Sequence, residues 1–188
     1  SVQRIETKRL QDGSQVQLNR GAEAVVEYDA TRRLVELVRG EASFDVAKDP
    51  DRPFVVQVGD VRLRAIGTAF NVRFQDEAVD VIVTEGIVSL QSGARSFESP
   101  EQAGNDTILE ANFRAKIDLK KGARLPVVEK IGHERLEAEL MWKPVLIDFE
   151  NVPLSKIVNE FNKRNPVQMV IVDDSVNNAR LSSMFWSD

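Results

Sequence analysis

The chain contains no cysteine, one histidine, one tyrosine and two tryptophans among its 188 residues. Without cysteine there are no disulfides and no thiolate metal sites, and both a reducing cytosol and an oxidising periplasm remain open. A lone histidine leaves no second imidazole to share a metal. No apolar run approaches the roughly 18–20 residues that span a bilayer. Ser1-Val2-Gln3-Arg4-Ile5 is not a basic stretch followed by an apolar core, so it does not read as a signal peptide. A start other than Met, and an end just after a β-like run, read as an excised fragment. No single-sign charge block occurs either. Lys plus Arg is 25, Asp plus Glu is 30, and the net charge is −5. Basic residues are scattered, which argues against a nucleic-acid-binding face. Gly-rich phosphate loops and the Gly-x-Ser-x-Gly elbow are absent from the sequence.

What the chain has is alternation. Hydrophobic residues make up 42% of it, enough to bury a core. Up to about residue 97 they recur at a period of two, as a half-buried sheet requires. Ala42, Phe44 and Val46 alternate with Ser43 and Asp45. Val61, Leu63 and Ala65 alternate with Arg62 and Arg64, and Phe70, Val72 and Phe74 with Asn71 and Arg73. Val79, Val81 and Val83 follow the same rule, with Ile82 placed to pack a second face. Turn signals at Asp12-Gly13-Ser14, Arg39-Gly40-Glu41, 49–53, Gly59-Asp60 and Glu85-Gly86 space the runs 8–12 residues apart. The expected fold is mainly β: an antiparallel twisted β-module of stacked short strands, followed by a small α+β unit. The module is placed at residues 1–125, with last strands inside 108–119, a linker with a short helix at 126–144, and the α+β unit at 145–188. Pattern alone leaves open whether 98–132 completes the module or bridges onward.

The last stretch changes character. His133 to Met141 reads as a short helix. Val145–Phe149 reads as a strand. Asn151 is placed to cap, and Pro153 to open, a helix whose stripe is Leu154, Ile157, Val158 and Phe161. Arg164-Asn165-Pro166 ends it, the β-branched run Val167–Val172 reads as a second strand, and Arg180–Phe185 as a third. The result is an unfinished β-α-β unit.

Catalysis finds little support. His133 lacks a nucleophile and an orienting acid, and an exposed or capping role suits it. The spacing of Asp49, Asp51, Asp60 and Asp76 matches no EF-hand. Asp173-Asp174 reads better as a capping turn than as an acid–base pair. Asn105-Asp106-Thr107 matches a glycosylation sequon, a pattern short enough to arise by chance. The reading is no enzyme, no metal and no cofactor. Surface and edges remain. The stripe Leu154, Ile157, Val158 and Phe161 suits packing on its own sheet. For the strand edges, both ordinary packing and acceptance of a partner strand stand open. The candidate partner-binding residues are Val145, Ile147, Phe149, Val167, Met169, Ile171, Leu181 and Phe185.

The run from Gly40 carries a pattern: Gly40-Glu41-Ala42-Ser43-Phe44-Asp45-Val46, then Arg52-Pro53-Phe54-Val55-Val56, then Gly67-Thr68-Ala69-Phe70-Asn71-Val72, then Glu85-Gly86-Ile87-Val88. In order and spacing it resembles the FecR protein domain. Upstream, Leu10-Gln11-Asp12-Gly13-Ser14 resembles that family's usual entry. The C-terminal part, with Trp142 before a strand, Pro153-Leu154 opening a helix and Glu160-Phe161-Asn162-Lys163-Arg164-Asn165 ending it, is similar to part of the STN fold (secretin and TonB-receptor short domain). Trp142-Lys143-Pro144 departs from it, since members more often carry a Gly near this point. The resemblance implies the periplasmic part of a single-pass inner-membrane anti-sigma regulator. It implies a partner in the signalling domain of a TonB-dependent outer-membrane transporter, in iron-siderophore or polysaccharide uptake. It also implies an extracytoplasmic-function sigma factor, held by a cytoplasmic segment outside this chain; the membrane would be met only through a helix outside it. The rival reading is a carbohydrate-binding or structural envelope β-protein, for which exposed aromatics are few.

Overall fold

A computed structural model describes residues 4–93, 106–121, 125–144, 146–165 and 167–186. The chain divides into two compact units, Ser1–Ala138 and Glu139–Asp188.

The first unit is a 12-stranded curled sheet: β1 (Glu6–Arg9), β2 (Gln15–Leu18), β3 (Glu23–Tyr28), β4 (Arg33–Asp45), β5 (Phe54–Val58), β6 (Val61–Ala65), β7 (Ala69–Gln75), β8 (Ala78–Glu85), β9 (Ile87–Ser92), β10 (Thr107–Glu110), β11 (Phe113–Asp118) and β12 (Val127–Lys130). The longest path across it runs β10-β9-β6-β5-β4-β7-β8-β11-β12. Everything turns on β4. Its first half pairs with β3 and β5, and its second half with β2 and β7.

All pairs in this sheet are antiparallel except β4–β5, which is parallel. The expectation of an antiparallel module therefore holds with one exception, and chain geometry explains it. A straight strand from Arg33 to Asp45 would extend about 40 Å, whereas the nine steps from Asp45 to Phe54 reach at most about 32 Å. Phe54 nevertheless pairs beside Arg33, so β4 must bend. Gly40 lies where its partners change, with φ +84°; a Cβ there would stand 2.6 Å from the Ala22 Cα. A side chain is excluded at this point by backbone as well as by conformation.

The two limbs of the sheet face each other across the core. Val35, Leu37, Phe44, Phe54, Leu63, Phe70, Val81, Val88, Leu90 and Leu109 are essentially inaccessible. Phe44 stacks on Phe70 at 5.1 Å between ring centroids and meets Phe54 edge-on at 5.9 Å. The alternating apolar residues read from sequence face the core, and Ile82 is buried on the opposite face as expected; Ser43 and Asn71, read as polar alternates, are buried as well. Val127–Lys130, expected within a linker, is instead β12, a full strand against β11. Its exposed residues carry no alternation that would announce it. The short helix α1 (His133–Glu139) follows, where the sequence placed a helix.

The second unit holds β13 (Leu146–Pro153), α2 (Leu154–Arg164), a 3-10 turn at Asp174–Val176 and β14 (Arg180–Trp186). β13 and β14 pair antiparallel, interrupted by an irregularity between Phe149 and Val152 where Asn151 takes φ 53°. Asn151 therefore shapes a bulge and does not cap the helix, as had been expected. Pro153 holds the cap position without a side-chain bond, and the first amides of α2 are satisfied by carbonyls of the returning chain: Leu154 N–H donates to Ala179 O at 2.9 Å and Ser155 N–H to Asn177 O at 3.1 Å. Ile157 is the buried member of the helical stripe, while Leu154, Val158 and Phe161 are half-buried.

Val167–Val172 is not a strand, contrary to the reading of three strands. The run has strand composition, but β-propensity expresses itself against a neighbour. β13 and β14 take each other as neighbours, and among the described residues this ribbon has no third strand.

Candidate docking surfaces

Buried polar residues of the first unit act as braces. Arg33 is completely buried. Its Nη1 donates to Asp12 Oδ2 at 2.6 Å and to Ala47 O at 3.0 Å, its Nε to Arg52 O at 2.6 Å and its Nη2 to Asp49 O at 3.3 Å. The guanidinium also lies 5.7 Å from the Phe54 ring centroid. One side chain thus ties the Asp12-Gly13-Ser14 turn and the 47–53 loop to the start of β4. Asp12 accepts further bonds from Ser14 and from the Tyr28 hydroxyl. Burial pushes the Asp12 carboxyl up, but the bonds from Ser14 and Arg33 outweigh it and hold the group below its ordinary value. Burial beside the Asp12 charge raises Tyr28 well above its usual value.

A second brace centres on Glu41, which accepts from Asn19 Nδ2 at 3.0 Å and Asn71 Nδ2 at 2.8 Å. A third is Arg114, buried and forked onto Asp80 across β11 and β8. Sequence reasoning passed over all three, because their partners lie 21, 30 and 34 positions away. The nearest signal was the Asp-Gly-Ser turn, whose first side chain must find a use. Two clefts flank Arg73, Gln75 and Asp76, of about 440 and 600 Å³. Both mix acidic and basic walls, and no group of three metal-ligating side chains occurs among the described residues.

The proposed contact residues lie in the second unit, and the structure brings only some of them together. Ile147 stands opposite Phe185, Phe149 opposite Ser183 and Leu181 opposite Val152 in the β13–β14 ladder. Their facing edges are thus consumed by each other. Val145 lies outside the described residues. Val167, Met169 and Ile171 belong to the segment after α2, with Val167 74% exposed. Sequence reasoning missed Asn162 there. Its Nδ2 donates to Met169 O at 2.8 Å, and Met169 N–H donates to its Oδ1 at 2.7 Å. Gln168 Nε2 then donates to Asn162 O at 3.0 Å and Asn165 O at 2.6 Å, closing the C-terminal end of α2. A cleft of about 770 Å³ lies beside this clamp, lined by Phe149, Val152, Lys156, Asn159, Asn162 and Lys163 among others.

The family model described as FecR protein matches residues 2–89. The FecR match spans the Asp12 turn, the bend at Gly40 and the Phe44–Phe54–Phe70 cluster, so the motif residues are those that close the fold. Two crystal structures of a candidate anti-sigma factor from Parabacteroides distasonis ATCC 8503, at 1.65 and 2.50 Å resolution, share the architecture. Each is 22% identical, has a TM-score of 0.58, and is matched over 100% of this chain and 83% of its own. No curated protein matches the chain. The likeness to these structures includes the part that follows the FecR domain, since all of this chain is covered.

Proposed function

We propose that this chain is the periplasmic signalling part of a FecR-like, inner-membrane anti-sigma regulator, acting through protein contacts and not through catalysis. It receives its signal from the N-terminal signalling domain of a TonB-dependent outer-membrane transporter. It passes that signal to an extracytoplasmic-function sigma factor held by a cytoplasmic segment of the same regulator. Iron-siderophore or polysaccharide uptake is the setting. The observation that carries the reading is the FecR domain at residues 2–89.

The physical layout supports this role. The first unit is braced by buried ion pairs and aromatic packing, as a platform should be. In the second unit apolar side chains stand in solvent: Val170 is 79% and Val172 95% exposed. Exposed apolar segments mark protein contacts. The STN-like part, residues 145–188, is the receiving surface. Titration calorimetry of the purified chain against the signalling domain of its cognate transporter tests the reading. A saturable heat is expected from the whole chain, and none from residues 1–138. An absence of binding by the whole chain contradicts it.

A further inference from the structure

The segment after α2 is neither helix nor strand, yet its flanks are extended: Asn165 has φ −113° and ψ 135°, and Asp173 has φ −109° and ψ 108°. Between them Asn162 grips Met169 through both backbone groups. That two-bond exchange is what a hydrogen-bonded residue pair makes in an antiparallel ladder. The Asn162 amide therefore stands in for a neighbouring strand on one edge. In an extended chain successive residues turn their N–H and C=O groups to opposite edges. An extended run between these flanks would turn the backbone groups of Gln168, Val170 and Val172 to the other edge. The backbone of Val170 and Val172 makes no hydrogen bond to a described residue. The six residues Val167–Val172 carry no charge, and Asp173 and Asp174 follow at once. Hydrogen bonds from Ser175 hold the Asp173 carboxyl below its ordinary value, so it stays ionised near neutral pH.

We propose that Val167–Val172 is a strand acceptor, pinned on its Met169 edge by Asn162 and open on its Val170–Val172 edge, that takes up an extended uncharged segment with a basic residue passing Asp173 and Asp174. The incoming segment runs antiparallel, the more stable pairing per residue. The proposal rests on the docking reading above and deepens it, by assigning the edge and the chemistry of the segment that docks. The pin matters because a segment already extended loses less freedom when its partner arrives. A second copy of Val167–Val172 would offer the same neutral surface, but the basic residues that precede it, Lys163 and Arg164, are held in α2.

The test uses a capped peptide, Lys-Thr-Val-Thr-Val-Thr-Val, titrated into the isotopically labelled whole chain. Shifts confined to 167–174 and slowed amide exchange at Val170 and Val172 are expected. Moving the lysine to the other end should weaken binding several-fold. Asn162→Ala removes the pin while keeping a good helix former, and should weaken binding about 3–10-fold. Asn162→Asp keeps the acceptor for Met169 N–H and should fall between. Protection at Met169 in place of Val170 and Val172, or tighter binding by Asn162→Ala, overturns the proposal. So does protection that appears without peptide as protein concentration rises, which identifies a second copy as the occupant. A transporter signalling domain that binds without protecting Val170 and Val172 overturns the strand acceptor and leaves the transporter reading intact. A peptide that pairs here, beside a signalling domain that does not bind, does the reverse.

Discussion

The two units solve the same problem with different means. In the first, apolar residues alternate along paired strands, and buried Arg33 locks the Asp12 turn and the 47–53 loop. In the second, one helix lies beside a two-stranded ribbon, Ile157 is its buried apolar side chain among the described residues, and valines face water. Local stability follows buried apolar contact, so the first unit should open rarely and the second often. A binding element drawn from the less stable unit fits the usual distribution of labile elements.

The contrast can be broken from either side. Arg33→Ala has the largest expected effect. It leaves Asp12 and several carbonyls buried without their partner, at a cost of about 3–5 kcal/mol. Urea unfolding followed by residue-resolved exchange should show the first unit lost early and β13–β14 unaffected. Ile157→Ala is next, at about 2–4 kcal/mol, with the sites of loss reversed: faster exchange in α2 and an unchanged transition for the first unit. If either variant weakens both units equally, they are not energetically separate.

Acidity sharpens the same comparison. The Asp12 pKa is depressed in the folded state. Its contribution is therefore fully present above the ordinary carboxylate value near 4, and is lost as pH falls through the lower folded value. Tyr28 is shifted up, so its contribution is present below the ordinary value near 10 and is lost as pH rises beyond it. Thermal melts across pH should show the first unit losing stability at both extremes. Val170→Thr has the smallest effect. At a position 79% exposed, it should change stability by less than about 0.5 kcal/mol, measurable by denaturant midpoint, while lowering affinity for a docking strand.

How far each part was legible in the sequence follows from where its determinants lie. The strands around Ala42, Leu63, Phe70 and Val81 declared themselves because each turns an apolar face into the core, and period-two patterning records that directly. The parallel β4–β5 pair did not, because it depends on a bend in β4, at whose change of partners Gly40 has positive φ, and no alternation records it. β12 was hidden because all four of its residues are exposed. Val167–Val172 erred in the other direction. Its composition states what the segment can do, and pairing depends on a neighbour the unit does not supply. Arg33 and Asn162 were missed for a common reason: a polar residue's partner across the fold leaves no periodic trace.

Residue-resolved hydrogen exchange of the whole chain, with and without the cognate transporter's signalling domain, tests the division of labour most directly. Binding is expected to slow exchange at Val170 and Val172 and to leave the strands of the first unit unchanged. Protection gained in the FecR domain, with residues 167–172 unaltered, would contradict it.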